Sequence, residues 1–216
     1  MAILRPNHPM FLSDGPIFIH IGKCGGSTLR TVIKHKYEIH LQRVKFSNDD
    51  KYFISLRNPI DRFISAFYYR KNEFLSGRGG KYILNESKIF NSVDNVYDFT
   101  ENLFDYNIEN VNGVAHIGES ISYYLSPIIT KLNKKNVTNI FTTHFLDEEL
   151  KKVVPDYKRK VLKDNSKNKP NKKLSELSIK NLNKFLEKDF KIIDELYKKD
   201  LLTDKQYEIL SKKDGW

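Results

Sequence analysis

A short apolar run, PIFIHI at residues 16–21, leads straight into the glycine-rich stretch GKCGGST at 22–28, after which Leu29, Val32 and Ile33 recur at helical spacing. Asp14-Gly15-Pro16 before the run and Gly22 after it bound a buried strand that enters a tight turn. Strand, glycine loop and helix in this order predict layers, because an apolar strand and a one-faced helix must bury themselves against each other. Ser27 or Thr28 is expected to cap the first turn of the helix. Glycines let backbone approach an anion closely, a helix start offers unpaired N–H groups, and Lys23 adds a positive charge. The loop is therefore built like a phosphate cradle. The nucleotide P-loop GxxxxGK[ST] places lysine after the glycines, whereas Lys23 precedes Gly25 and Gly26. On these residues alone, a glycine turn carrying a surface lysine reads equally well.

A second unit begins at Tyr52, where YFISLR reads as a buried strand ending at Asn58-Pro59, with proline placed to open a helix. Ile60, Phe63, Ile64, Phe67 and Tyr68 fall on one helical face, which leaves Asp61, Arg62, Ser65 and Tyr69 elsewhere. Residues 76–95, with Gly77, Gly79 and Gly80, read as a surface excursion before a helical stretch at about 96–106. NIFTTHF at 139–145 reads as another strand, and LDEELKKV after it as a short helix. KDNSKNKPNKK at 163–173 reads as a loop. Ile179 to Tyr197 then carry a helical apolar stripe, and Thr203 starts a final helix. The alternation predicts one α/β domain over 1–216 with a mainly parallel sheet: an extension at 1–15, a core at 16–70 and helices at 174–213.

Composition narrows the classes. The chain has 216 residues, of which 12% are aromatic, too many for a disordered polyelectrolyte despite 30% charged residues. No apolar run approaches the roughly 18 residues of a membrane span, and the single cysteine fits a reducing compartment, so a cytoplasmic protein is expected. Of the formal net charge of +10, residues 151–216 hold +8, with 19 Lys and Arg against 11 Asp and Glu. That excess would suit an anionic partner or simply a solvated lysine face.

LRNPIDRFISAFYYR at 56–70 adds a second candidate anion site, since Arg57 ends a strand and Ser65 lies eight positions on in the helix. Taken together, IFIHIGKCGGSTL and LRNPIDRFISAFYY resemble the sulfotransferases that use 3'-phosphoadenosine 5'-phosphosulfate (PAPS), particularly their carbohydrate-modifying branch. The first looks like the family's 5'-phosphosulfate loop, P-K-T-G-G-[ST]-S/T-L, and the second like its 3'-phosphate motif, R-[DN]-P-x-x-R-x-x-S. Gly22 and Cys24 depart from the usual Pro and Thr. Weaker likenesses lie in FLEKDFKIIDELYKK and in DNSKN at 164–168, which resembles a late cofactor-covering loop.

The resemblance implies a P-loop-like three-layer fold and an enzyme that moves a sulfuryl group from PAPS to a glycan hydroxyl. It further implies that Lys23 and the Cys24, Gly25, Gly26, Ser27 and Thr28 segment hold the 5'-phosphosulfate, and that Arg57 and Ser65 hold the 3'-phosphate. The transferred group carries less negative charge than a phosphoryl group, so lysine and backbone amides can suffice and no metal is expected. The base is sought among six histidines. His40, between the two motifs as in the carbohydrate branch, is preferred, and His116, beside Glu119, Tyr123 and Tyr124, comes second. His20 reads as a hydrogen-bonded structural residue, and His8, His35 and His144 as structural or solvent-facing. Cys24 at a helix start has a lowered thiol pKa in prospect, although in-line transfer needs no covalent intermediate. Tyr82, Tyr123 and Tyr124 could stack on sugar rings or simply pack.

Two other readings compete. A nucleotide-dependent kinase would need its lysine after the glycines and an aspartate at the end of IFTTHF. A nucleic-acid-binding module would interleave aromatics with the C-terminal lysines, but those aromatics follow a helical core stripe, so nucleic acid is not the expected partner.

Overall fold

A computed structural model describes residues 10–78, 83–158 and 173–214. The expected strands appear as β1 (Ile17–Ile19), β3 (Tyr52–Leu56) and β4 (Val137–Thr142), and a two-residue strand, β2 (Glu38–Ile39), joins them. The sheet order is β2-β1-β3-β4 and every pairing is parallel. Phe18 lies opposite Glu38 on one side and Phe53 on the other.

Strand periodicity sorts the core into two faces. Ile17, Ile19, Ile54 and Leu56 pack with α6 (Ile121–Leu125), α9 (Glu187–Lys198) and α10 (Asp204–Leu210). Phe18, Phe53 and Phe141 face Leu29 of α1 (Gly26–Val32) and Leu150 of α7 (Leu146–Val153). The chain is thus an α/β fold with a four-stranded parallel sheet flanked by helices. A separate helical cluster surrounds Phe63 and Phe67 of α2 (Pro59–Leu75), with α3 (Ile83–Phe90), α4 (Val96–Glu101) and α8 (Glu176–Phe185). Val111 of α5 (Ile108–Asn112) joins it.

The start of α2 shows how sequence fixes a junction. Pro59 opens the helix and Asn58 caps it, its Oδ1 accepting the N–H groups of Ile60 and Asp61 at 2.9 and 3.3 Å. The same side chain donates through Nδ2 to the carbonyls of Ile209, Leu210 and Lys212, which ties the end of α10 to the 57–59 turn. Thr203 and Gln206 form a reciprocal capping box that starts α10.

Four expectations need correction. Neither Ser27 nor Thr28 caps α1: the cap is Gly25, in the left-handed region at φ 78°, with no side-chain hydrogen bond. Residues 83–90 of the expected surface excursion are helical, and Ile89, Phe90 and Val93 are buried, so this segment closes the helical cluster. Arg62, assigned away from the core, is fully buried. The C-terminal stripe is divided between α8 and α9, which part at Leu186. His8, Gly79, Gly80, Tyr82 and the 164–168 segment lie outside the described residues, as does 163–173 apart from Lys173. No helix among the described residues is long and apolar enough to cross a membrane.

Candidate functional site

In a parallel sheet, ligands collect beyond the carboxyl ends of the strands where the strand order reverses. Here the chain leaves β1 for β2 on one side and returns to place β3 on the other, so the reversal lies between β1 and β3. The loop after β1 carries Lys23 and the residue after β3 is Arg57. Both line one cavity of about 840 Å³, within the roughly 300–1,000 Å³ typical of small-molecule sites.

Lys23, Gly25, Gly26, Ser27 and Thr28 line the cavity. The turn is tight: Lys23 and Gly25 both have positive φ, 71° and 78°. Among the described residues, the amides of Gly25, Gly26 and Ser27 have no protein acceptor. Such amides are a ready set of donors for an anion. The Lys23 ammonium lies 4.0 Å from the ring centre of Tyr69, on α2. Arg57 and Ser65 line the same cavity. Burial pulls the Arg57 pKa below its ordinary value and Asp61 opposes the shift, so the guanidinium stays a cation. Neither Arg57 nor Ser65 makes an ion pair or side-chain hydrogen bond among the described residues.

Three imidazoles line the cavity with them. His20, directly after β1, stacks on His40 with centroids 4.2 Å apart, and His40 lies 5.5 Å from His116. His40 Nδ1 bonds the carbonyl oxygen of His20 at 2.9 Å. A carbonyl can only accept, so Nδ1 carries the proton and Nε2 keeps a lone pair. Burial, then His20, lowers the His40 pKa, although its bond to the His20 carbonyl and Glu38 oppose the shift. Burial chiefly, followed by the charges on His40, Lys23 and Arg62, pushes His116 down to about 2. His116 is therefore neutral at neutral pH, and it lines the cavity beside His40.

His20 is more than a strand residue. Its Nδ1 bonds Glu38 Oε1, and both side chains are nearly buried. His20, Glu38 and His40 each offer a donor atom within 4.8 Å of the others. The imidazoles stack nearly face to face, at 21°, so their in-plane lone pairs run side by side and do not converge as metal ligands do.

Cys24 is the one predicted site residue that does not line the cavity. Its side chain belongs to the core and is 1% exposed, and burial pushes the thiol up to about 12, against the expected depression. His35 is buried and structural and His144 is exposed, both as expected, and His144 also lines the cavity. Tyr124, buried, accepts the Leu41 N–H at 2.8 Å and is a packing residue. Tyr123 is half-buried, packs against the core and lies under Arg43.

The sequence reading overlooked Arg62, Glu38, Tyr69, Arg30 and the wall formed by residues 143–148 and Tyr157. Arg62 donates from Nη1 to the carbonyls of His116 at 2.6 Å and Glu119 at 3.4 Å. It fixes the turn where His116 has φ 64°. Its signal was present, since the second arginine of R-[DN]-P-x-x-R is this residue. Among the described residues, the lysines of α8, α9 and α10 do not line the cavity. No family model, no curated protein and no solved structure matches the chain.

Proposed function

We propose that the chain is a PAPS-dependent sulfotransferase of P-loop-like fold that sulfates a carbohydrate hydroxyl. The supporting observation is that the two motifs, 35 residues apart from Gly22 to Arg57, meet around one cavity at the sheet's reversal point. A donor that carries two phosphates on one ribose, at the 3' and 5' positions, would suit a cavity lined by both Lys23 and Arg57. The unpartnered amides of Gly25, Gly26 and Ser27, with Lys23, would hold the 5'-phosphosulfate, and Arg57 and Ser65 the 3'-phosphate.

The donor supplies a sulfuryl group on a phosphate leaving group. His40 Nε2 takes the proton of the acceptor hydroxyl as its oxygen bonds to sulfur. The sulfur–oxygen bond to phosphate breaks, and its electron pair leaves with adenosine 3',5'-bisphosphate. Lys23 and the loop amides stabilise the charge that develops there.

Thermal unfolding with adenosine 3',5'-bisphosphate against ADP tests the reading. The bisphosphate at about 100 times its Kd should stabilise the protein by roughly 2.7 kcal/mol, and ADP by much less. Arg57→Ala should erase that preference. His40→Ala should keep nucleotide binding and suppress sulfate transfer to a glycan acceptor. Equal response to both nucleotides, or to neither, would sink the assignment.

A further inference from the structure

Resting on the sulfotransferase reading, we infer that His40 and His116 together seat the acceptor hydroxyl, His40 Nε2 accepting its hydrogen bond while His116 Nε2–H donates one to its oxygen. The two rings are neighbours on the cavity lining, with centroids 5.5 Å and planes 32° apart. His40 offers a lone pair there, because its Nδ1–H is spent on the His20 carbonyl.

His116 offers the opposite polarity. Its Nδ1 is buried without a hydrogen-bond partner, and a Cβ built on Gly22 would lie 2.3 Å from it, so this edge is sealed against the glycine loop. A neutral imidazole carries one N–H. On Nδ1 that proton would be a buried donor with no acceptor, whereas on Nε2 it lies at the edge away from Gly22, toward the cavity that His116 lines. The ring is held in this orientation. Arg62 holds the His116 carbonyl and Glu119 its backbone N–H, while His40 and Tyr69 flank the imidazole. Burial keeps the ring neutral, and the charges on His40, Lys23, Arg62 and Arg70 act in the same direction.

A lone pair and an N–H side by side select the group between them. A hydroxyl oxygen has one hydrogen and two lone pairs. Its hydrogen goes to His40, one lone pair accepts from His116, and the other is left to face sulfur. A neutral amine has a single lone pair, which the bond to sulfur requires, so it cannot accept from His116 while it attacks. The pair thus favours O-sulfation over N-sulfation. On transfer the hydroxyl proton passes to His40 Nε2 and the oxygen bonds to sulfur. The sulfur–oxygen bond to phosphate breaks with its electrons leaving on the bisphosphate, and the His116 proton stays on its nitrogen.

Two-bond proton–nitrogen NMR of the full chain, labelled with 15N-histidine and measured with and without adenosine 3',5'-bisphosphate, tests this. His116 should show the Nε2–H tautomer and His40 the Nδ1–H tautomer, and His116 should stay neutral down to about pH 5. Glycerol, as a small hydroxyl probe, should shift the Nε2 signals of both rings together. His116→Leu should weaken the glycerol response of His40 roughly fivefold, the loss of one hydrogen bond, and His116→Gln, which keeps an amide donor near Nε2, should restore it to within about twofold. An Nδ1–H tautomer at His116, a His116 ring that protonates above about pH 5, or glycerol shifts confined to His40 overturns the pair while the sulfotransferase reading stands. A protein that does not bind the bisphosphate overturns that reading, and the tautomers and glycerol shifts of the free protein still decide the pair.

Discussion

Gly26→Ala isolates one contact on which the site's geometry depends. Gly26 is the first residue of α1 and has no positive φ, so alanine is acceptable to the backbone and should gain about 0.5–1 kcal/mol of helix propensity. The obstacle is His20, whose ring occupies the space the new methyl group needs. Phe18 and His40 block the ring on its two faces and Glu38 holds its far edge, so it cannot swing away without breaking a buried hydrogen bond. Overpacking of this kind costs about 1–3 kcal/mol, which leaves a net loss near 1–2 kcal/mol. For a chain of 216 residues that lowers Tm by roughly 2–8 °C. The sharper test is the sign in a second background. With His20→Ala the space is open, and Gly26→Ala should become neutral or stabilising by up to about 1 kcal/mol. Thermal and urea unfolding of the four proteins measures the coupling. Gly25→Ala serves as a control, because its penalty comes from φ 78° and should be similar with or without His20. An equal cost of Gly26→Ala in both backgrounds would refute the claim that the imidazole determines the glycine.

His116 makes stability depend on acid. Its pKa is about 6.5 unfolded and about 2 folded, so the unfolded chain takes the proton first and stability falls as pH drops below about 6.5. The loss should reach about 2 kcal/mol by pH 5, and His116→Gln should flatten that limb in urea unfolding. Glu38, with its pKa lowered, adds a further loss below its unfolded value of 4.5, in the same direction. Arg62→Met should cost about 2–3 kcal/mol, by stranding the His116 and Glu119 carbonyls, and should weaken transfer more than nucleotide binding. The Cys24 thiol, buried and pushed up to about 12, should resist alkylation in native protein and react at the rate of unfolding, which mass spectrometry can follow.

Most of the sheet was legible because its strands are short apolar runs bounded by Gly, Pro or Asn, and α2 because Pro59 and an apolar stripe mark it. The missing pieces are ones that local patterns do not encode. A two-residue strand such as β2 has no periodicity, so Glu38 looked like one more charge in a polar link. Helical spacing placed Arg62 off the apolar face, and only the fold shows that the 116–119 turn closes over it. For Cys24, a helix-start argument predicts a reactive thiol, but the side chain turns into the core and desolvation wins. The glycines at 77, 79 and 80 suggested exposure for a whole segment that includes buried Ile89 and Phe90.

The glycines of the 22–28 loop raise a question of rigidity, since a stretch so free in the unfolded chain must be fixed to hold an anion. Each glycine meets a side chain from elsewhere. A Cβ at Gly22 would lie 2.3 Å from His116 Nδ1, one at Gly25 would lie 3.1 Å from Leu146 on α7, and Gly26 meets His20. A proline at position 22 would not fit, because the space its ring would need is filled by His116. That imidazole is held from outside the loop, by Arg62 on its carbonyl and by the Glu119 carboxylate on its N–H. Loop stiffness that a proline would supply locally is supplied here by three side chains on separate segments. Preorganisation of this glycine loop is therefore a tertiary property.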